Sequence, residues 1–157
     1  MIDLDGRVVM ISGANRGIGR CIAAQLAGDG ALVSLGARHP DALSEVTAEL
    51  PDDRVLRHQY DATERGSDAR WVAATLERFG RLDGLVNCAG ILESFTLDYG
   101  DEAALDRMFE VNVKAPLRLT RLTLPHLRSS GEGRIVNLSS LSGIRVANDE
   151  VGYAISK

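Results

Sequence analysis

The stretch ISGANRGIG, residues 11–19, restricts the fold of this chain more than any other segment. An apolar, β-branched run, RVVMIS, precedes it, and CIAAQLA, which has the composition of a helix, follows it. Gly13, Gly17 and Gly19 permit a tight turn and a close approach of the main chain to a ligand, because glycine has no Cβ. The free N–H groups and the positive dipole end of the following helix favour a pyrophosphate group. The stretch therefore predicts a strand, a turn and a helix that bind a nucleotide; the alternative is a turn that three glycines close without a ligand.

Segments typical of strands and of helices alternate along the rest of the chain. Ser67 is expected to cap a helix that Gly80 ends, and Pro116 is expected to kink or limit a later one. Strands separated by helices favour βαβ units. The expected fold class is therefore α/β, a Rossmann-type doubly wound parallel sheet with helices on both faces, in a single domain. Strands are predicted over 7–12, 31–37, 54–59, 82–87 and 133–140, and helices over 21–27, 40–50, 67–79, 101–115 and from 116 to 125.

Composition and charge exclude several classes of function. Of the 157 residues 45% are apolar and 25% are charged, which is ordinary for a globular domain. The net charge of −4 implies no general attraction to nucleic acid or to an anionic membrane. The N-terminal stretch lacks the features of a signal peptide, and no apolar run is long enough to span a membrane. Two cysteines, Cys21 and Cys88, do not make a disulfide framework, so a reducing cytoplasm is the expected location. Both are expected to be buried, unreactive thiols. The three histidines are scattered, and no metal site is expected.

The end of the second predicted strand bears on which dinucleotide binds. NAD sites place an acidic residue there, about 20 residues after the glycine turn, for the adenosine ribose. Here Ala37 takes that position, Arg38 follows it, and Arg16 in the glycine turn supplies a second cation. Two guanidinium groups suit a 2′-phosphate, so NADP(H) is favoured over NAD(H). The alternatives are a solvated surface charge for Arg38 and a loop salt bridge for Arg16.

Six segments, in order and at compatible spacings, identify the chain as similar to the classical short-chain dehydrogenase/reductase family. SGANRGIG resembles the family's T-G-x-x-x-G-x-G with Ser12 for Thr, and VNCAG resembles V-N-N-A-G with Cys88 for Asn. YDAT, FEVNVKAP and GRIVNLSSLSG are similar to three further family segments, and YAISK supplies Y-x-x-x-K. The resemblance covers essentially the whole chain.

The resemblance implies a catalytic role for four residues. Tyr153 would exchange a proton with the substrate oxygen as general acid or base, and the adjacent Lys157 ammonium group would favour the phenolate. Lys157 would also hold the nicotinamide ribose. Ser140 would hydrogen-bond the substrate oxygen, and Asn112 would position Lys157 through a water molecule. Ser139 is expected to be structural.

The same resemblance implies a set of cofactor-binding residues. Asp61 would contact the adenine and Ala62 would contribute its main chain. Cys88 would lie near the cofactor, so the alternative to a buried, unreactive thiol at this position is a redox-sensitive one. The full expected set is Gly13, Asn15, Arg16, Gly17, Ile18, Gly19, Arg38, Asp61, Ala62, Asn87, Ala89, Gly90, Tyr153 and Lys157.

The predicted function is an NADP(H)-dependent oxidoreductase that transfers hydride between nicotinamide and a small-molecule carbonyl or secondary alcohol. In the family the chain continues beyond the Tyr153–Lys157 pair, so a fragment with its C-terminal strands missing is expected, and a full-length relative is expected to be a homo-oligomer. The alternative is a non-catalytic nucleotide-binding module or a truncated remnant. An epimerase or dehydratase that uses a bound cofactor is a third hypothesis, although such relatives usually show a different glycine spacing.

Overall fold

Five parallel strands form one sheet in the computed structural model, which describes residues 3–145 and 150–157. The order is β3-β2-β1-β4-β5, so the chain starts in the middle of the sheet, builds one side and then the other. Val9 of β1 pairs with Val33 on one side and with Gly84 on the other. This arrangement confirms the predicted doubly wound parallel sheet. The strands are β1 (Val8–Ser12), β2 (Leu32–Ala37), β3 (Val55–Gln59), β4 (Gly84–Asn87) and β5 (Arg134–Asn137).

Helices connect the strands. A π-helical turn, Glu110–Lys114, joins the third helix to the fourth. Three short 3₁₀ turns lie at Pro40–Leu43, Asp52–Arg54 and Leu141–Gly143. The α-helices are α1 (Gly17–Gly28), α2 (Ser67–Phe79), α3 (Glu102–Phe109), α4 (Ala115–Ser129) and α5 (Val151–Ser156).

The sheet has a separate apolar core on each face, because successive strand residues point to opposite sides. Val8 and Met10 of β1 pack with α2 and α4 in one cluster that contains Trp71. Val9 and Ile11 pack on the opposite face in a second cluster, to which α1 contributes. Helices therefore cover both faces, as expected. β5 differs from the inner strands, since all four of its residues are exposed.

The predicted helix over 40–50 is wrong. Only the 3₁₀ turn Pro40–Leu43 forms there, and the chain continues in tight i→i+3 turns. Thr47 explains part of the difference, because its hydroxyl donates to the carbonyl oxygen of Leu43 at 3.0 Å and accepts from Arg57 Nε at 2.6 Å. A buried threonine that binds main-chain and side-chain groups competes with regular helix formation.

Two details of α2 and α4 also differ from the prediction. Ser67 does not cap α2, since Gly66 precedes the helix and the Ser67 hydroxyl accepts from the N–H of Asp61 at 3.0 Å. Gly80 ends α2 as predicted, with φ of +72°. Pro116 falls in the first turn of α4, where its missing N–H costs nothing, and α4 continues past Pro125 to Ser129. Across residues 3–145 and 150–157, no helix combines the length and the apolar character needed to cross a lipid bilayer.

Candidate functional site

A cleft of about 770 Å³ opens where β1, β2 and β4 end. In a doubly wound sheet this is the switch point, where the connections from neighbouring parallel strands run to opposite sides of the sheet and ligands bind. The cleft brings together every residue of the predicted cofactor-binding set except Asn87. The members that line it are Gly13, Asn15, Arg16, Gly17, Ile18, Gly19, Arg38, Asp61, Ala62, Ala89, Gly90, Tyr153 and Lys157.

The glycine turn forms one wall of the cleft and leaves no room for a side chain at Gly13 or Gly19. Gly13 has φ of +68°, and a Cβ there would lie 2.9 Å from Ala89 Cα. A Cβ on Gly19 would lie 2.9 Å from the carbonyl carbon of Gly13. Among the described residues, no side chain caps α1 and its first turn holds no acidic residue. The turn thus presents free main-chain N–H groups at a helix N-terminus, a geometry that fits a pyrophosphate.

Arg16 and Arg38 are both exposed beside the end of β2. Ala37, the last residue of β2, is only 4% exposed and places no carboxylate at this corner. Asp61 lies nearby, where its Oδ1 accepts from the Thr63 N–H at 2.8 Å and from the Thr63 hydroxyl at 2.7 Å. Burial opposes ionisation of Asp61, but the Thr63 hydrogen bonds and the charge of Arg38 lower its pKa below the ordinary value. Asp61 is therefore a fixed carboxylate within reach of the Arg38 charge.

Lys157 is held at the other end of the cleft. Its Nζ donates to the carbonyl oxygen of Leu138 at 2.8 Å and lies 6.0 Å from the centroid of the Tyr153 ring. Burial lowers the pKa of Lys157, an effect that Cys88 partly opposes. The Ser139 hydroxyl donates to the Lys157 carbonyl oxygen at 2.8 Å, and Ser139 also lines the cleft, so its structural role stays a prediction. Tyr153 on α5 and Lys157, the residue directly after this helix, therefore lie on the same side of the chain, with the ammonium group near the phenol ring.

Asn112 lies in the π-helical turn and binds the chain that follows β4. Its Nδ2 donates to the Ile91 carbonyl oxygen and to Ser156 Oγ, each at 2.9 Å, and its Oδ1 accepts from the Ile91 N–H at 2.9 Å. A Cβ on Gly90 would lie 3.3 Å from Asn112 Oδ1 and 3.6 Å from Lys157 Nζ. Gly90 thus separates the two side chains, and the water-mediated link between them stays a prediction.

Three predicted residues are absent from the main cleft wall. Asn112 and Asn87 line an adjoining cavity of about 340 Å³, which Lys157 also borders. Asn87 Nδ2 donates to Asn137 Oδ1 at 2.7 Å, so that this side chain joins β4 to β5. Ser140 caps the 3₁₀ turn Leu141–Gly143, because its Oγ accepts from the N–H of Ser142 at 3.2 Å. Ser140 lines neither cavity.

The structure also adds residues to the cleft that the sequence did not indicate. Glu93 and Arg107 border it and form an ion pair with oxygen–nitrogen distances of 2.5–3.1 Å. The Arg107 hydrogen bonds lower the pKa of Glu93. Their separation along the chain follows no motif, so nothing in the sequence marks the pair. Cys88 lines the cleft and is partly buried, whereas Cys21 is exposed, which corrects the expectation that both are buried.

Comparison with known proteins gives one consistent result. A family model described as short chain dehydrogenase matches residues 7–157. Agropine synthesis reductase of Rhizobium rhizogenes is 46% identical over 152 residues, which cover 96% of this chain and 35% of the relative. Levodione reductase of Leifsonia aquatica is 35% identical, with 96% of this chain and 58% of the relative covered. An uncharacterised oxidoreductase of Staphylococcus saprophyticus is 34% identical and matched over 68% of its length.

Solved structures agree with the family model. A short-chain dehydrogenase from Streptomyces avermitilis superposes with a TM-score of 0.90 at 35% identity, over 96% of this chain and 55% of that one. A short-chain dehydrogenase/reductase of unknown function from Caenorhabditis elegans, solved with cofactor, also gives 0.90, at 30% identity over 99% and 61%. The chain spans about a third of the agropine synthesis reductase that it matches. Fold, matched residues and neighbours agree: the chain belongs to the short-chain dehydrogenase/reductase family.

Proposed function

We propose that the protein is an NADP(H)-dependent oxidoreductase that interconverts a small-molecule carbonyl compound and the corresponding alcohol. The observation that carries the proposal is one cleft that joins the glycine turn after β1 to Tyr153 on α5 and to Lys157 directly after it. A pyrophosphate-binding turn and a candidate acid at the two ends of one cleft suit hydride transfer, which needs the cofactor and a proton donor side by side.

The residues of the cleft would hold the cofactor in three parts. The N-terminus of α1 would bind the pyrophosphate, Asp61 and the main chain of Ala62 would contact the adenine, and Lys157 would hold the nicotinamide ribose. Bound NADPH would supply the hydride. Asn15, Ile18, Ala89 and Gly90 would pack against the cofactor, while Asn87, which bonds to Asn137, would support the floor from below.

The preference for NADP(H) rests on charge at the end of β2. A 2′-phosphate carries negative charge, and Arg16 and Arg38 can donate bidentate hydrogen bonds to its oxygens. Ala37 stands where NAD-binding sites place an acid, so no carboxylate repels that phosphate from the end of the strand. Asp61 also lines this part of the cleft, and Arg38 offsets its charge.

The proton would move at the Tyr153 hydroxyl. During reduction the substrate oxygen gains negative charge, and Tyr153 would protonate it as a general acid. Lys157, fixed by Leu138, would place a positive charge beside the phenol and stabilise the phenolate that remains. Ser140 caps the turn Leu141–Gly143 and lines neither cavity, so its hydroxyl would have to turn towards the cleft to hydrogen-bond the same substrate oxygen. Asn112 would hold the main chain at Ile91 and so position the segment next to Lys157.

The named relatives support the class of reaction. Two of them are called reductases, agropine synthesis reductase and levodione reductase. Both names describe those proteins, and this chain covers only part of each. We infer from them that the substrate is a carbonyl compound that is reduced, and we do not choose between the substrates of the two relatives. We also infer a cytoplasmic location, supported by two free thiols, and a homo-oligomer, supported by the exposed apolar residues Leu117 and Leu122 on α4.

The test combines binding with turnover. Calorimetric titration of the protein with NADPH and with NADH should give a lower Kd for NADPH. Oxidation of NADPH, followed by absorbance against a panel of ketones, diketones and aldehydes, should then show turnover with at least one of them. Failure to bind either coenzyme contradicts the proposal. Tight binding with no turnover in the complete protein favours the non-catalytic nucleotide-binding module instead.

A further inference from the structure

Arg118 of α4 is not part of the cleft wall, yet it contacts three segments that surround the cleft. Its Nη2 donates to the carbonyl oxygen of Ala62 at 2.6 Å, and its Nε donates to Asp68 Oδ2 at 2.6 Å. Its Nη1 donates to Glu110. Ala62 lies in the cleft wall after β3, Asp68 in the first turn of α2, and Glu110 at the start of the π-helical turn that carries Asn112.

We propose that Arg118 is a positioning residue for the adenine end of the dinucleotide site and ties it to the π-helical turn. The inference deepens the proposed function and rests on it. A guanidinium group offers donors in several directions within one plane, so it can serve three acceptors at once, which a lysine ammonium group on its flexible stem does less well. One side chain thus fixes the main chain at Ala62 relative to Glu110, two residues before Asn112.

The segment that Arg118 holds has other anchors, and three of them lie before Ala62. The Tyr60 N–H donates to the carbonyl oxygen of Ala37 at 2.9 Å. The Asp61 N–H donates to Ser67 Oγ at 3.0 Å. The Tyr60 ring packs on Trp71 with centroids 4.9 Å apart. After Ala62 the chain becomes exposed at Thr63. Arg118 therefore holds the carbonyl oxygen of Ala62, the last buried residue of the segment, and Ala62 also lines the cleft at the proposed adenine site.

Asp68 makes the position of Arg118 dependent on charge as well as on geometry. The Asp68 side chain is 3% exposed, and within the described parts of the chain its Oδ1 has no hydrogen-bond partner. Burial and the Asp68 carboxylate raise the pKa of Tyr60 well above its ordinary value, so Tyr60 stays neutral. Arg118 is the cation that touches this buried carboxylate, and removal of Arg118 alone would leave an uncompensated charge inside the protein.

The experiment must therefore remove the charge pair together. The double variant Asp68→Asn/Arg118→Met eliminates both charges, and Arg118→Lys keeps the charge beside Asp68 but not the three-way hydrogen bonding. Arg121→Met, at an exposed position of the same helix, is the matched control. The probes are 2′,5′-ADP, which carries only the adenine end of NADP, and reduced nicotinamide mononucleotide, which carries only the other end. Calorimetry gives the Kd of each.

The double variant and Arg118→Lys should raise the Kd for 2′,5′-ADP about tenfold, the value of one lost hydrogen bond from a charged group. The Kd for reduced nicotinamide mononucleotide should change less than about twofold, and Arg121→Met should change neither. An unchanged Kd for 2′,5′-ADP overturns the inference. An equal rise in the Kd of both ligands also overturns it, because that result would show that the ion pair is purely structural. If the double variant does not fold, Arg118→Lys decides by the same criteria. If the unaltered protein binds no pyridine dinucleotide at all, the proposed function itself fails.

Discussion

The carbonyl carbon of Gly13 lies 2.9 Å from the place that a Cβ atom would take on Gly19. Real Cβ atoms do not approach main-chain atoms so closely, because van der Waals contact begins further out. The first turn of α1 is therefore packed directly onto the end of β1. No flexible side chain lies between the two glycines to absorb an added methyl group.

Gly19→Ala should therefore destabilise the protein by about 1–3 kcal/mol, the usual cost of overpacking, and should abolish measurable binding of NADPH, because the turn must open. Gly28→Ala is the control at the other end of α1, where a Cβ meets nothing within 4 Å. That variant should be neutral or stabilised by up to about 1 kcal/mol. Urea unfolding and calorimetric titration measure the two effects. Equal stability of both variants would contradict the contact.

Tyr153→Phe should remove proton transfer and leave the cofactor in place. The rate of carbonyl reduction should fall about 10²–10⁴-fold, the usual contribution of a general acid. The Kd for NADPH should change little, since phenylalanine keeps the ring that lines the cleft and Lys157 remains bound to Leu138. Tyr99→Phe, at an exposed position outside the cleft lining, serves as the control. An unchanged rate in Tyr153→Phe would show that another group supplies the proton.

Ala37→Asp should exchange the preferred coenzyme. The new carboxylate would stand at the end of β2, repel a 2′-phosphate and accept hydrogen bonds from a free ribose. We expect the Kd for NADPH to rise about tenfold or more and the Kd for NADH to fall. Arg20→Met is the control for a general change of charge near the site. Arg20 lies on α1 and pairs with Glu45, so its loss should leave the coenzyme preference unchanged. An unchanged preference for NADPH in this variant would show that position 37 does not face the 2′-phosphate.

The two thiols should react with iodoacetamide at different rates. Burial raises the pKa of Cys88, with Lys157 opposing the effect, so less thiolate forms there near neutral pH. Because the thiolate is the reactive form, Cys88 should be alkylated several-fold more slowly than exposed Cys21, and its rate should keep rising as pH passes the ordinary pKa of a thiol. NADPH should slow Cys88 alone, since Cys88 lines the cleft. Peptide mass spectrometry measures both sites, and Cys88→Ser identifies the signal.

Equal rates at the two cysteines, or equal protection by NADPH, would contradict the assignment of Cys88 to the cleft. The two sites report on different things. Cys21 measures general access of the reagent to the protein, and Cys88 measures access to the cofactor side of β4.

Strong local patterns explain which parts of the fold could be predicted from the sequence. The β-branched runs and the glycine turn specify β1, α1 and β2 without help from distant residues, and Gly80 ends α2 as a left-handed residue should. The region 40–50 could not be predicted, because the hydrogen bond between Thr47 and Arg57 of β3 depends on the folded sheet. Likewise, the π-helical turn depends on the bonds of Asn112 to Ile91, which is distant in the sequence.

The site divides in the same way. The glycine turn and the Tyr153–Lys157 spacing are short patterns, and the structure gathers them into one cleft. Ser140 was assigned by resemblance, and the structure gives it a capping bond to Ser142. Arg118 and the Glu93–Arg107 pair carry no local signal, because each contact joins residues that only the tertiary fold brings together.

The pairing of Val9 with Gly84 has a consequence for how the molecule assembles. The central strand β1 can pair with β2 early, because one short crossover joins the two strands. Its other neighbour, β4, is more than forty residues further along the chain and pairs later. Parallel pairing across so long a loop is slow, because closure entropy is lost before any contact is gained. Until β4 pairs, the apolar strand around Val9 has one unpaired edge. A nascent or refolding chain is most prone to aggregate during that interval.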